Sequence, residues 1–347
     1  MNNLQIFRDA QAIRLLCIRL RNDKQNDVKP LSVKEYGDLA SWLSFVGSRP
    51  ADLLKRDEIE KEFNKNLPPF DKTRIQKLLS RGVALSEQLE TWRRQGVWII
   101  TRAESDYPQN LRKKLRNAAP PVIFGMGDIN LLKNKSAAVV GSRNADHNIL
   151  SITQKVALHL VKHDIQIISG GAKGIDAAAM ESALQFNGSA VGFLSGDLLR
   201  RGCSGKLRKH IQEKRLLLLS AVNPEAGFNA GNAMARNKYI YALADAGIIV
   251  RSDVKGGTWQ GAREQLMKYR NNRIFVFNLD KSTAPGNAKL IIIGAHPLDP
   301  EMLEDVHIRI FSIKKTKMAL SPKQYDFLTD ASIDAITARE DENSEYP

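Results

Sequence analysis

The middle of the chain contains the stretch that decides the fold, residues 165–179, which reads IQIISGGAKGIDAAA. It starts with a short, mostly apolar run at 165–168, continues through the small residues of 169–174, and then takes on helical spacing over 175–186. A buried strand that passes through a glycine-rich loop into a helix is the beginning of a βα unit. This stretch therefore predicts an α/β fold built on a parallel sheet.

The same alternation of strand and helix continues on both sides of this stretch. Further strands are predicted at 137–140, 190–194, 216–219, 247–250 and 274–277, and further helices at 149–162, 232–244 and 261–269. With 165–168 this makes six strands, which is enough for a complete doubly wound sheet. The predicted fold class is α/β, with a Rossmann-like, mainly parallel sheet.

The pattern divides the chain into three parts. Residues 1–95 have helix-like spacing and no run of strands, which predicts an N-terminal helical domain. Residues 96–317 carry the α/β pattern. Residues 318–347 are predicted to be a short acidic tail, because seven acidic residues and one basic residue follow position 325.

Phosphate-binding chemistry is predicted where the strands end, because ligands of open parallel sheets bind outside the carboxyl ends of the strands. Gly141, Ser142 and Arg143 follow the first strand of the predicted sheet, and residues 169–174, with Lys173, follow the second. Small residues let the backbone approach a phosphate, and the cations supply charge. A third group, Arg236, Asn237 and Lys238, adds two cations and an amide, although an exposed basic helix face is the alternative.

Two common nucleotide sites are not predicted. Neither loop has the G-x-G-x-x-G spacing, and no acidic residue ends the second strand to bind a ribose, so an NAD site is not expected. The G-x-x-x-x-G-K-[ST] pattern of a P-loop is absent as well. We therefore expect no cofactor.

The charge balance indicates a polyanionic partner. The chain has 347 residues, with 52 Lys and Arg against 38 Asp and Glu, a net charge of +14. Because the segment after position 325 carries −6, the rest carries +20, which favours a nucleic acid over mere solubility. The two cysteines, Cys17 and Cys203, suggest neither a disulfide framework nor a metal site, and no apolar run is long enough to cross a membrane. We expect a cytoplasmic protein.

Six segments resemble the ordered motifs of the DprA/Smf family. They are residues 106–108 (DYP), 120–125 (PPVIFG), 138–143 (AVVGSR), 168–179 (ISGGAKGIDAAA), 235–238 (ARNK) and 287–295 (NAKLIIIGA). The resemblance implies a protein that binds single-stranded DNA without catalysis, forms a homodimer and loads a RecA-type recombinase. The residues that it assigns to phosphate binding are Gly141, Ser142, Arg143, Ser169, Gly170, Lys173, Gly174, Arg236, Asn237 and Lys238.

Three features depart from the family pattern, one of which is the unusually basic segment at residues 202–215. Gly171, Lys173 and Lys238 stand where the family usually has Leu, Arg and Arg, and lysine keeps the charge but loses bidentate geometry. The C-terminal winged helix of many relatives is not expected here, because about 30 residues follow Lys317. These departures favour a second hypothesis, a DprA-like antitoxin or sensor in antiphage defence, whose partner would be a cognate toxin.

A third hypothesis comes from another class, an enzyme that acts on nucleoside monophosphates. Residues 256–258, Gly-Gly-Thr, together with Glu264, faintly resemble the phosphate loop and the acid of the lonely-guy phosphoribohydrolases. Residues 259–261 interrupt that motif, and a small-residue loop is equally expected in DprA relatives. The sequence therefore favours binding without hydrolysis.

Overall fold

The computed structural model describes residues 3–24, 28–55, 70–270 and 273–312, and the predicted acidic tail at 318–347 lies outside them. The helices are α1 (Asn3–Cys17), α2 (Val33–Phe45), α3 (Lys72–Leu79), α4 (Gly82–Arg94), α5 (Gln109–Leu115), α6 (His147–Lys162), α7 (Ile175–Gln185), α8 (Leu198–Gly202), α9 (Gly205–Gln212), α10 (Ala230–Leu243), α11 (Gly257–Met267), α12 (Pro285–Ile292) and α13 (Val306–Ser312). The strands are β1 (Trp98–Thr101), β2 (Val122–Met126), β3 (Ser136–Val140), β4 (Gln166–Ser169), β5 (Ala190–Leu194), β6 (Leu216–Ser220), β7 (Ala246–Ile249), β8 (Ile274–Phe277) and β9 (His296–Leu298).

The strands form a mostly parallel sheet in the order β1-β2-β6-β5-β4-β3-β7-β8-β9. Within the described ranges, β1 and β2 form the one antiparallel pair among those whose register is defined. β3 pairs in parallel with both β4 and β7. The chain runs outward from β3 to β6 and then returns to place β7 on the other side of β3. This reversal is the topological switch point of a Rossmann-like sheet, and it confirms the predicted fold class.

The central strands are buried along their whole length. Every residue of β3 to β8 is buried, as expected for a parallel sheet covered on both faces. Such strands stand out in a sequence as apolar runs, and all six predicted strands are present within one residue of the expected ends.

Three further strands, β1, β2 and β9, were not among the predicted six. β9 has three residues, contains Pro297 and is only partly buried, so it carries no apolar run of strand length. β2 follows Pro120 and Pro121 and contains Gly125, which are residues that ordinarily indicate turns. β1 coincides with the apolar run at 97–100.

The chain folds into two compact units. The first consists of Met1–Gly127, Gly196–Ser204 and Leu219–Gly227, and the second of Asp128–Ser195, Gly205–Leu218 and Phe228–Pro347. The domain limits proposed from the sequence stay a prediction.

The first unit contains α1 to α5 and is closed by a core of aliphatic and aromatic side chains. Leu16, Leu39 and Leu78 are fully buried, and the ring of Trp92 packs edge-on against Phe124 with 5.4 Å between the ring centres. This packing explains the helix-like spacing of the first 95 residues. In the described part of the chain, no helix is both long enough and apolar enough to span a bilayer.

Candidate anion-binding site

A cavity of about 360 Å³ in the second unit is lined by five of the predicted site residues. We call it the switch-point cavity. Gly141, Ser142 and Arg143, which directly follow β3, form one wall, and residues of α10 form another. The loop after β7 contributes Asp253 and Lys255. Because β3 and β7 flank the topological switch point, the cavity lies in the crevice where α/β folds bind their ligands.

Three helices direct their N-termini at the switch-point cavity. Asp176 in the first turn of α7, Ala230 at the start of α10, and Gly257 and Thr258 at the start of α11 all line it. The free backbone amides and the dipole at a helix N-terminus favour negative charge. The cavity is therefore suited to an anion even before its side chains are considered.

The floor of the cavity holds a buried ion pair. Arg236 is 5% exposed, and its Nη1 lies 3.8 Å from Oδ2 of Asp176. The other carboxylate oxygen of Asp176, Oδ1, accepts a hydrogen bond of 3.3 Å from the backbone amide of Gly141. Burial raises the pKa of Asp176, while the charge of Arg236 and the amides of Gly141, Ala172 and Gly170 oppose that rise. The pair thus fixes an arginine at the base of the cavity.

The glycine at position 170 makes room for this arginine. A Cβ placed on Gly170 would overlap the guanidinium of Arg236. Only a residue without a side chain lets the backbone at the end of β4 pass so close to a buried guanidinium. The missing side chain at position 170 therefore leaves the space that the guanidinium of Arg236 occupies.

A second glycine, Gly174, shapes the turn into α7. Its φ of 88° lies in the region that favours glycine, and a Cβ there would stand 2.6 Å from the carbonyl oxygens of Ser142 and Arg143. The loops after β3 and β4 are therefore in contact through their backbones. The sequence predicted both loops as binding elements, and the structure brings them together.

A second cavity, of about 420 Å³, lies next to these loops. Lys173, Gly174 and Glu181 are among the residues that line it. Arg143 lines both cavities, and both Arg143 and Lys173 are exposed. The exposed cations thus lie on a surface that extends from one cavity to the other.

The structure places three predicted residues outside the cavity linings that it describes. Ser169 is fully buried and donates its hydroxyl to the carbonyl oxygen of Val139 at 2.7 Å, so it fastens β4 to β3. Gly170 lies beneath Arg236. Lys238 is half-buried, with its Nζ 5.4 Å from the centre of the Tyr239 ring, and burial lowers its pKa.

Asn237 lines the switch-point cavity but also has a structural contact. Its side-chain amide donates a hydrogen bond of 2.8 Å to the carbonyl oxygen of Gly257. This bond ties α10 to the first turn of α11. Asn237 therefore positions the loop after β7 at the cavity.

Several residues of the site were not singled out from the sequence. Asp176 stood within the quoted glycine-rich motif, but only its contact with Arg236 shows its place in the floor. Phe228 stands before α10, and the guanidinium carbon of Arg143 lies 5.2 Å from the centre of its ring. Asp253 and Lys255 follow β7, and a position after a predicted strand was the signal that could have identified them.

The fold and the cavity together define a class: a Rossmann-like α/β protein with a crevice at its switch point that basic side chains and helix N-termini line. The chain belongs to the family described as DNA recombination-mediator protein A, whose family model matches residues 98–308. This match confirms the DprA/Smf resemblance.

Comparison with known proteins gives the same family. DNA processing protein DprA of Bacillus subtilis (strain 168) is 27% identical over 214 residues, which cover 61% of this chain and 71% of that protein. Among other curated relatives, the matched share of their own length falls as low as 39%.

Two solved structures support the fold. DNA processing protein A of Streptococcus pneumoniae aligns with a TM-score of 0.57 at 21% identity, covering 77% of this chain and 95% of that one. DNA processing protein A of Helicobacter pylori, solved in work on its single-stranded DNA binding mode, aligns with a TM-score of 0.50 at 24% identity, covering 61% and 96%.

Proposed function

We propose that this protein is a DNA-processing protein that binds single-stranded DNA along the surface formed by its two cavities. The observation that carries the proposal is the position of Arg143. It is exposed, it lines both cavities, and it lies against the ring of Phe228. A phosphate contact and an aromatic surface are thus available at the same place.

The chemistry of the crevice suits a phosphate backbone. Arg143, Lys173 and Arg236 provide three cations, and the N-termini of α7, α10 and α11 provide backbone amides. Contacts of this kind bind without regard to base sequence and weaken as salt is added.

Exposed apolar side chains beside the cavity favour a single strand over a duplex. Phe228 is 58% exposed and Met234 is 52% exposed, although both are large apolar residues. Unpaired bases stack on an exposed aromatic ring such as that of Phe228, whereas the bases of a duplex are already stacked inside the helix. The Helicobacter relative, whose structure concerns single-stranded DNA binding, supports this preference.

The biological role we propose follows the family. As a member of a family of recombination mediators, the protein would act as a homodimer and load a RecA-type recombinase onto the strand that it holds. The DNA-binding proposal requires neither the second copy of the chain nor the recombinase. Analytical ultracentrifugation tests the homodimer, and co-purification tests the binding of the recombinase.

We propose that the site binds nucleic acid without hydrolysing it. Gly256, Gly257 and Thr258 line the switch-point cavity, as the phosphoribohydrolase hypothesis required. Glu264, the proposed acid, instead forms an ion pair of 3.0 Å with Lys268 and is not one of the cavity-lining residues in the described ranges. Incubation with nucleoside monophosphates is expected to release no free base, and release of base would support the enzyme instead.

Fluorescence anisotropy with a labelled single strand and a hairpin duplex of the same sequence tests the proposal. We expect the single strand to bind at least about tenfold more tightly, and Phe228→Ala to weaken its binding by about 1–3 kcal/mol, the usual value of one stacked base. Phe186→Ala is the matched control, because Phe186 is a partly exposed aromatic residue of the same unit outside both cavities. Equal affinity for the single strand and the duplex would contradict the proposal.

A further inference from the structure

Three of the six histidines of the chain meet at the end of α6 that lies farthest from the switch-point cavity. His159 and His163 are one helical turn apart, and His307 lies in the first turn of α13. His159 and His307 are 148 residues apart in the sequence, so no motif spacing could have indicated that they meet. No metal site was expected from the sequence.

The distances within this histidine cluster approach those of a metal site. The nearest available ring nitrogens of the three side chains all lie within 4.8 Å of one another, and Nε2 of His159 is 2.8 Å from Nδ1 of His307. Around a tetrahedral Zn²⁺ with Zn–N bonds of about 2.0–2.1 Å, two ligand nitrogens are about 3.4 Å apart. The three nitrogens are therefore close enough for one ion to reach all of them once the rings turn towards it.

Both elements that carry the cluster are anchored. Positions 159 and 163 share one face of α6, since residues four apart are neighbours on a helix. On α13, Val306 and Ile310, which flank His307 in the sequence, are fully buried. Phe311 of the same helix lies against Lys135, whose Nζ is 3.9 Å from the centre of the ring. The backbone thus holds the three side chains together without the help of a ligand.

Two of the three rings lie face to face. The rings of His163 and His307 are stacked, with centres 3.5 Å apart and planes inclined by 9°. Because an imidazole nitrogen binds a metal in the plane of its ring, one of these two rings turns about its Cβ–Cγ bond when both bind the same ion. His159 and His307 share a hydrogen bond, so one of the two rings carries a proton on the nitrogen that faces the other ring. When both rings bind one ion, that proton must move to the second nitrogen of the same ring.

We propose that His159, His163 and His307 bind one transition-metal ion of the Zn²⁺ type and that the ion clamps α13 onto α6. Three nitrogen ligands leave a fourth position for water, because His163 faces solvent. Metal binding to the folded state alone raises its stability by mass action. The site is separate from the proposed DNA site, because α6 has 16 residues and so spans about 24 Å.

Calorimetric titration of chelator-treated full-length protein with Zn²⁺ tests the site. We expect one ion per chain, bound at least tenfold more weakly by His163→Gln and by His307→Gln. His147→Gln is the matched control, since His147 is an exposed histidine at the opposite end of α6, and it is expected to bind as the wild type does. Equal affinity of the wild type and a His163→Gln/His307→Gln double variant would overturn the proposal.

A second readout on the unmodified protein covers the case in which a variant is poorly folded. Co²⁺ in a tetrahedral nitrogen site gives a strong visible absorption, which we expect for the wild type and which Zn²⁺ should abolish. Zn²⁺ should also raise the melting temperature of the wild type but not of His163→Gln, whose side chain is exposed. Absence of both effects in the wild type would refute the metal site, and neither result depends on DNA binding.

Discussion

Arg236 is the residue on which the geometry of the switch-point cavity depends most. It is buried, it pairs with Asp176, and it occupies the space left by the missing side chain of Gly170. Arg143 and Lys173, by contrast, are exposed, so they can approach a ligand without any rearrangement of the core. The buried cation fixes the site, and the exposed cations extend it.

Replacement of Gly170 by alanine is expected to displace Arg236. The added methyl group would overlap the guanidinium, and overpacking of this kind costs about 1–3 kcal/mol of stability. Single-stranded DNA affinity should fall as well, because the arginine leaves the cavity floor. Urea denaturation and anisotropy measure the two effects. Gly205→Ala is the control, since a Cβ at position 205 would meet no atom within 4 Å; unchanged stability and affinity in Gly170→Ala would refute the role of this glycine.

Chain order indicated where the exposed cations lie but not how the buried groups pair. Arg143 and Lys173 follow predicted strands, so their position at the carboxyl edge of the sheet could be inferred from chain order alone. The pairing of Asp176 with Arg236 brings together residues 60 positions apart on two different helices, and that depends on how the helices pack. Phe228 precedes α10 and follows no strand directly, so nothing in its sequence context separated it from an ordinary core aromatic.

At the scale of elements, the six strands β3 to β8 were predictable, whereas β1, β2 and β9 were not. β3 to β8 are covered on both faces and need apolar residues throughout, which makes them visible as runs. β9 is a short edge strand that needs no such run, so its residues do not differ from those of a loop. The helices that place their N-termini at the cavity, α7, α10 and α11, were each predicted to within four residues at their first residue.

The start of α2 in the first unit shows how a single carboxylate can support a helix. Ser32 and Glu35 form a reciprocal capping box, and Oε1 of Glu35 also lies 2.7 Å from Nη1 of Arg74. The hydrogen bond from Arg74, assisted by the backbone of Ser32 and opposed by partial burial, lowers the pKa of Glu35 from 4.5 to about 2. The ionised form of Glu35 is therefore the one that stabilises the folded state.

This lowered pKa predicts a specific dependence of stability on pH. Because the folded-state pKa lies below the unfolded value, the contribution of Glu35 is complete above pH 4.5 and is lost as the pH falls towards 2. Glu35→Gln should lose about 1 kcal/mol at neutral pH and should fall less steeply in acid than the wild type. Urea denaturation at about pH 7 and about pH 3 measures the difference. Glu87→Gln, at an exposed position of α4, is the control, and an identical acid response of Glu35→Gln and wild type would contradict the assignment.

For the whole molecule, part of the basic excess can now be assigned to a place in the fold. The structure places Arg143, Lys173, Arg236 and Lys255 around two neighbouring cavities at one edge of the second unit. Composition alone could suggest a polyanion but could not say where it binds. The histidine cluster at the other end of α6 adds a feature that neither composition nor motif order suggested.

The salt dependence of single-stranded DNA binding tests the central claim most directly. For a single strand, log affinity falls with log salt, and each lost phosphate contact makes this fall less steep by about 0.7. The Arg143→Ala/Lys173→Ala variant should therefore show a slope that is about 1.4 less steep, and it should bind more than tenfold more weakly. Lys133→Ala is the control, because Lys133 is an exposed cation that precedes β3, at the edge of the sheet opposite the cavities. We expect this control to keep the wild-type slope and affinity. A double variant that binds single strands with the affinity and salt slope of the wild type would contradict the account.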